Sequence, residues 1–429
     1  MAGLLERTTE EVVADEQYLE EIGMEDDDSE EAVDISYIPK VVVYGTDWTT
    51  ETMVNQLERG NIDIKPDFQR RDAWNLKKKS RLIESLILGL PVPPIVLAER
   101  DDAKGKFIVL DGKQRLLTVF QFYGKSRFPN NNFKLTGLEI LKQFNGYSYS
   151  ELKLNANLIE VLDVLEKQTI RTTIIRNWQH KSFLYTVFSR LNTNNTPRSP
   201  QELRKSLYPG EFSDFIDEKS AYSQGLRLFL GLNKPDSRMR DTQILLKYVA
   251  FQLFLPKYKG VLNQFLNSAN KILNELWLSP REQSVIRNVT DNFETAIQLT
   301  IKVFGEENFA KIWRTDQHKY ERRNQSALEI MLFYFSDKKI LDKLESLNES
   351  EMDLYKTQIE QAFQSLCGSS EFTNTIKSST QSLVNTSTRL KLWGEALRGV
   401  LEVDFEIPQL VNGKFIYQSS VGNFANGYF

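Results

Sequence analysis

Residues Phe107–Tyr123 read FIVLDGKQRLLTVFQFY. Phe107 to Leu110 make a short apolar run that predicts a strand, and Asp111-Gly112 predicts a tight turn. Leu116, Leu117, Val119, Phe120 and Tyr123 then recur at the spacing of one helix face, with Gly124 as the stop. Asp-Gly commonly joins the strands of a hairpin, but the residues after it follow a helical and not an alternating period, so the stretch is strand–turn–helix. That order puts open backbone N–H groups at a helix N-terminus beside Lys113, Gln114 and Arg115, which suits a phosphate or another anion. Asp111 lies in the same turn, where its carboxylate could hold a metal ion or orient a water. The structural alternative is a capped turn in which Arg115 pairs with Asp111 to hold the fold.

Upstream, VVVYG from Val41 predicts a strand, and Thr50 a cap for a helix carrying Met53, Val54 and Leu57 that closes at Gly60. Ile62 and Ile64 alternate as in a strand ended by Pro66. Asn75 is the N-cap of a helix through Leu76, Leu82, Ile83, Leu86 and Ile87, stopped by Gly89 and Pro91. Pro91, Pro93 and Pro94 make a rigid connector into a strand at Ile95–Leu97. Between these elements lies Phe68-Gln69-Arg70-Arg71 with Trp74. Fork-shaped guanidiniums beside an aromatic ring suit phosphate or base recognition. Lys77, Lys78, Lys79 and Arg81 add positive charge, and a solvated helix face accounts for the lysines most simply.

Downstream, Ser148 and Glu151 form a capping box for a helix through Leu165, and Gln168–Arg176 is rich in β-branched residues and predicts a strand. A helix follows with Phe183, Leu184, Val187, Phe188 and Leu191 on its apolar face. It runs into the polar loop Asn192–Ser199, and Ser199-Pro200-Gln201-Glu202 opens another helix. GKS at Gly124–Ser126 is no Walker A motif, because position 119 is Val and the segment ends a helix instead of opening one. After about residue 212 the pattern is mainly helical. Asp241–Leu255 forms an apolar helix, a capping box at Ser279–Glu282 opens a long one, and further helices cover about 326–347, 350–367 and 385–402. The end is extended, with Asn412-Gly413 as a hairpin turn.

Taken in order, PDFQR followed by Trp74, then RLIESLILGLPVPPI, then LDGKQRLLTVF, then VFSRLNTNNTPRSPQELR resemble the N-terminal domain family typified by the GmrS half of GmrSD-type modification-dependent restriction systems. The resemblance covers about Val41 to Tyr208. It implies an α+β protein: a ParB/sulfiredoxin-like N-terminal α/β domain followed by a mainly α-helical C-terminal domain. The expected divisions are an acidic leader (1–36), the ParB-like nucleotide-binding domain (37–210), a helical domain (211–402) and an extended segment (403–429). It also implies binding and hydrolysis of a nucleoside triphosphate, with or without Mg²⁺, coupled to sensing foreign or modified DNA in phage defence. Asp111, Gln114 and Arg115 match the catalytic DGQQR positions of the family, and Lys113 departs from them. Gln69 and Arg70 match its FQR positions and, with Gly112, Lys113 and Asn192, would bind nucleotide. Arg71, Trp74, Lys78 and Arg81 would meet DNA. Family members place the loop after Asn192 near the ligand, which adds Arg204 as a possible contact.

Composition bounds these expectations. The net charge of −4 hides an asymmetry: residues 1–34 hold fourteen acidic residues and one basic one, so the remainder carries +9 and welcomes polyanions. The leader, with its EDDDSEE run, reads as a disordered, solubilising tail, with competition against DNA for the basic face as the alternative. No apolar run is long enough to span a membrane, and no secretory leader is evident. Cys367 is the only cysteine, which excludes an internal disulfide and points to a reducing cytoplasm. Many relatives fuse the domain to an HNH nuclease, but only His180 and His318 are present, 138 positions apart, so any cutting of DNA is expected from a partner effector. The helical part is an effector, a DNA-reading module or a dimerisation surface, which leaves a homo-oligomer open. Two functional classes follow: a DNA-controlled nucleotide hydrolase, or a regulatory module that binds without turnover.

Overall fold

In a computed structural model the chain is described over residues 40–62, 74–124, 132–156, 158–178, 181–192, 200–377 and 379–417. It divides into two compact units, one ending at Leu207 and the other running on from Tyr208.

The first unit is built on a four-stranded sheet. Strand β1 (Val42–Thr49) leads into α1 (Thr50–Glu58). Then come α2 (Leu76–Ile87), β2 (Ile95–Glu99), β3 (Phe107–Asp111), α3 (Lys113–Tyr123), α4 (Tyr149–Leu154), α5 (Ile159–Lys167), β4 (Thr169–Arg176), α6 (Lys181–Asn192) and α7 (Pro200–Leu207). The strand order is β1-β4-β2-β3, with β4 antiparallel to β1 and parallel to β2, and β2 antiparallel to β3. The β2–β3 register shifts at Val96/Leu97: Leu97 pairs with Val109 but Val96 with Asp111, leaving Leu110 as the extra residue of a bulge.

Side chains alternate between the faces of the sheet. Ile95, Leu97, Phe107, Ile170 and Ile174 join one core with Met53, Leu57, Ile83, Leu86, Leu116 and Phe120 of the first three helices. The intervening Val96, Ala98, Ile108, Leu110 and Ile175 are also buried, as are Leu184, Phe188, Leu203 and Leu207 of α6 and α7, and both of those helices contact β3. The sheet is therefore covered on both faces around β3.

Local chemistry explains most element ends. Asn75 caps α2, its Oδ1 accepting from Lys78 N at 2.9 Å. The expected cap at Thr50 moves back one residue. Thr49 accepts from Thr52 N, while Thr50 is buried with its hydroxyl 2.6 Å from Tyr123 Oη. The Ser148–Glu151 capping box forms, but its helix stops at Leu154 instead of running through Leu165. Asn155 takes up extended dihedrals there, as a side chain that competes for backbone hydrogen bonds readily does, and α5 starts again at Ile159. Glu84, buried on α2, accepts from the backbone N–H groups of Glu139, Ile140 and Leu141 at 3.2, 2.8 and 2.7 Å. Burial works to raise the Glu84 carboxyl, but these three bonds and the Arg81 charge outweigh it and hold the group below its usual range.

The second unit is mainly helical, as its periodicity predicts. It holds α8 (Glu211–Tyr222), α9 (Gln224–Leu230), α10 (Arg240–Phe254), α11 (Leu262–Leu276), α12 (Pro280–Asn308), β5 (Lys311–Arg314) and β6 (Lys319–Arg323). There follow α13 (Gln325–Phe335), α14 (Lys338–Glu345), α15 (Glu349–Cys367), α16 (Ser370–Lys377), α17 (Leu383–Leu401), β7 (Gln409–Val411) and β8 (Lys414–Ile416). The single helix expected over 326–347 is broken at Asp337, which caps α14 by accepting from Lys339 N. Ser279 occupies the N-cap of α12 without closing its box: its hydroxyl donates to the Glu282 carboxylate instead of capping a backbone N–H. The β5–β6 hairpin, unforeseen in the sequence, is pinned by Trp313 opposite Tyr320, ring centres 5.0 Å apart. Asn412-Gly413 turns the β7–β8 hairpin, as anticipated. Beneath these helices lies a buried charge cluster. Glu329 pairs with Arg389 at 2.7 Å and with Lys247, and its carboxyl, which burial works to raise, is held low by those two cations. No described helix is long and apolar enough to cross a membrane.

Candidate functional site

The strand–turn–helix forms as Phe107–Asp111, Gly112 and Lys113–Tyr123. Gly112 is the N-cap of α3 at φ +91°, a conformation that costs glycine little and other residues considerably. A Cβ there would also lie 2.8 Å from Ile95 Cγ1 and 3.2 Å from the Ile95 backbone. With no side chain at the N-cap, no side-chain cap is made to the first-turn N–H groups, which leaves them for other acceptors. Gly124 closes the helix at φ +62°, confirming it as a stop.

Arg115 bends back over this turn. Its Nη2 donates to Asp111 Oδ2 at 2.7 Å and to the Pro94 carbonyl at 3.0 Å, so the pairing of the structural alternative is present. Both side chains are mostly covered, at 13% and 22% exposure. Among the described residues, two buried polar atoms of the motif nevertheless lack a hydrogen-bond partner, Arg115 Nε and Gln114 Oε1. An unsatisfied buried donor costs about 1–3 kcal/mol, so such atoms call for a ligand or a water.

Around this turn stand further charges. Lys78 lies close enough to Arg115 that partial desolvation of its ammonium and then the Arg115 charge lower its pKa. Its Nζ sits 4.7 Å from the centre of the half-buried Trp74 ring. Lys113 reaches the other way and pairs with Glu202 of α7 at 3.3 Å. Lys78 and Arg115 near one another, in a motif whose helix starts without a side-chain cap, make a setting in which an anion is stabilised. The donor set fits a cation less well, because Asp111 is committed to Arg115. Among the described residues no group of three or more His, Cys, Asp or Glu side chains gathers as a metal site.

The structure thus brings together Asp111, Gly112, Lys113, Gln114 and Arg115, with Lys78 near Arg115 and Trp74 against Lys78. Arg81 is engaged by Glu139. Gln69, Arg70 and Arg71 lie outside the described residues, as does the leader. Asn192 is the last residue of α6, and its side chain is likewise outside the description. Arg204 is fully buried, its Nη1 donating to Gln201 Oε1, which takes it away from any surface contact. Lys79, expected on a solvated face, is buried with its ammonium 2.9 Å from Gln121 Oε1. Sequence reasoning missed Glu202 and the Pro94 carbonyl. Neither carries a local signal, since the first is 89 positions from its partner and the second is backbone.

Residues 50–209 match the family model described as GmrSD restriction endonuclease, N-terminal domain. The matched segment contains the whole of this site, and the family resemblance drawn from the four motifs holds over it. No curated protein matches the chain.

Proposed function

We propose that the protein is a DNA-responsive, nucleotide-binding component of a restriction-type defence system, that it hydrolyses nucleoside triphosphates, and that a separate effector acts on DNA. The family match over residues 50–209 supports the defence context. Assignment of the first unit to the ParB/sulfiredoxin-related nucleotide-binding folds belongs to the same proposal. The observation that carries the chemistry is the αL glycine turn that opens a helix without a side-chain cap, with Arg115 Nε of the same motif buried and, among the described residues, unpartnered.

Phosphoryl transfer to water asks a protein for positioning and charge stabilisation more than for covalent chemistry. The first-turn N–H groups and the Arg115 guanidinium hold phosphate oxygens, with Lys78 adding charge beside them. Asp111 keeps the Arg115 fork aimed through the 2.7 Å bond and offers its carboxylate to an attacking water. Gln114 supplies the free amide oxygen that receives a ligand or water hydrogen. No step is assigned to a metal ion. Phosphate release from the four NTPs, with and without duplex DNA, tests this reading. Turnover is expected to rise with DNA and to disappear in Asp111→Ala and Arg115→Ala proteins that remain folded; unchanged rates reject it.

A second reading has its own support: Asp111 is tied to Arg115, as in a turn that binds an anion without activating water. Nucleotide retained on a filter by wild-type protein, with no phosphate released under any DNA condition, selects that regulatory role.

A further inference from the structure

We propose that Glu202 is a positioning residue for the anion-binding turn, and that Lys113 acts as a strut toward it instead of as a phosphate ligand. The proposal rests on the phosphate-binding reading of this turn. Lys113 is the first residue of α3. Its ammonium lies 3.3 Å from Glu202 Oε1, and the two side chains are only 15% and 14% exposed. Helix α3 packs with α1 and α2, whereas α7 contacts β3 and buries Leu203 and Leu207 with the opposite-face residues Ile108 and Leu110. The pair therefore ties the two layers together around the end of β3, at the residue that follows Gly112. Backbone at φ +91° over Ile95 has little freedom of its own to set where the helix starts. Anchoring Lys113 from the far layer fixes the direction of the first-turn N–H groups and, two residues on, of Arg115. An ion pair this sheltered is less screened than one on the surface, so its loss is felt as geometry.

The test uses the full chain and three variants: Glu202→Gln, Glu202→Lys and the charge swap Lys113→Glu with Glu202→Lys. In Glu202→Gln the KM for nucleotide is expected to rise about tenfold while kcat stays within about twofold, because the helix start is misaimed but the reacting groups remain. A merely structural role would shrink the active fraction, lowering kcat with KM unchanged, and that result overturns the proposal. Fluorescent-nucleotide affinity should fall in Glu202→Lys and return to within about threefold of wild type in the swap. If Lys113 binds phosphate directly, the swap puts a carboxylate in the site and binds no better than Glu202→Lys, which again overturns the proposal. Wild-type protein that binds no nucleotide overturns the phosphate-binding reading. The urea midpoint, lowered in Glu202→Lys and recovered in the swap, then still reads the strut alone, and failure to recover overturns the strut itself.

Discussion

Gly112 and Arg115 show how much of this site depends on single atoms. Replacing Gly112 with alanine forces an L residue to φ +91° and drives a methyl group into Ile95. The expected cost is roughly 1–3 kcal/mol, read as a lower urea midpoint with unchanged slope. Arg115→Lys keeps a charge but loses the planar guanidinium whose Nη2 bonds both Asp111 and the Pro94 carbonyl. Phosphate release in that variant is expected to drop by about two orders of magnitude with the fold intact, measured beside its circular dichroism spectrum. What the sequence disclosed at this scale was the identity of the turn: Asp-Gly before a helical period, with basic residues following. It also offered both uses of Arg115, and the structure displays the pairing while Nε stays buried without a partner among the described residues. Glu202 stayed hidden because ion pairs between distant segments carry no periodicity, and Lys79 deceived because a buried lysine reads like an exposed one until Gln121 is placed opposite it.

At the scale of elements, α2 carries a clamp independent of the site. Glu84 gathers three consecutive N–H groups of the segment Glu139–Leu141, and its carboxyl sits below the usual range. A group whose folded pKa is depressed contributes stability that is present above its unfolded value and lost as pH falls through the folded one. The wild type should therefore exceed Glu84→Gln in urea midpoint at neutral pH, and the gap should close progressively on acidification below the ordinary carboxylate range. A gap independent of pH would show that the clamp does not act through charge. Periodicity and capping residues made α2, α3, β4 and α17 legible in advance. They failed where a polar residue interrupts an otherwise continuous period, as Asn155 and Asp337 do. They also failed at the β5–β6 hairpin, whose strands KIWR and KYERR are too short and too charged to stand out; cross-strand contacts such as Trp313–Tyr320 and Arg314–Glu321 hold them.

Across the whole molecule, charge and core are divided unequally. Residues 37–207 carry 27 basic and 17 acidic residues, against 26 and 27 in residues 208–429, so the entire positive excess belongs to the segment that holds the site. Binding of duplex DNA should accordingly weaken steeply with salt, by at least about tenfold between roughly 50 and 200 mM. A titration in which affinity is flat over that range would remove DNA from the list of partners. The helical unit instead concentrates its stakes inside. Glu329 is the carboxylate that Lys247 and Arg389 share in a buried setting. Glu329→Gln leaves two cations without it and should cost about 3–5 kcal/mol in chemical unfolding. Replacement of all three by apolar residues of similar volume should cost far less.

The bulge at Leu110 has a consequence of another kind. Because it places one surplus residue immediately ahead of Asp111, the aim of the carboxylate is decoupled from the reading frame of the ladder behind it. Losing a single codon there would let β3 zip in uninterrupted step along β2 and swing the entire tip through half a turn. Every residue named in the site would survive in the gene product, yet the constellation would not: here the spacing of the chain matters as much as the identity of its side chains.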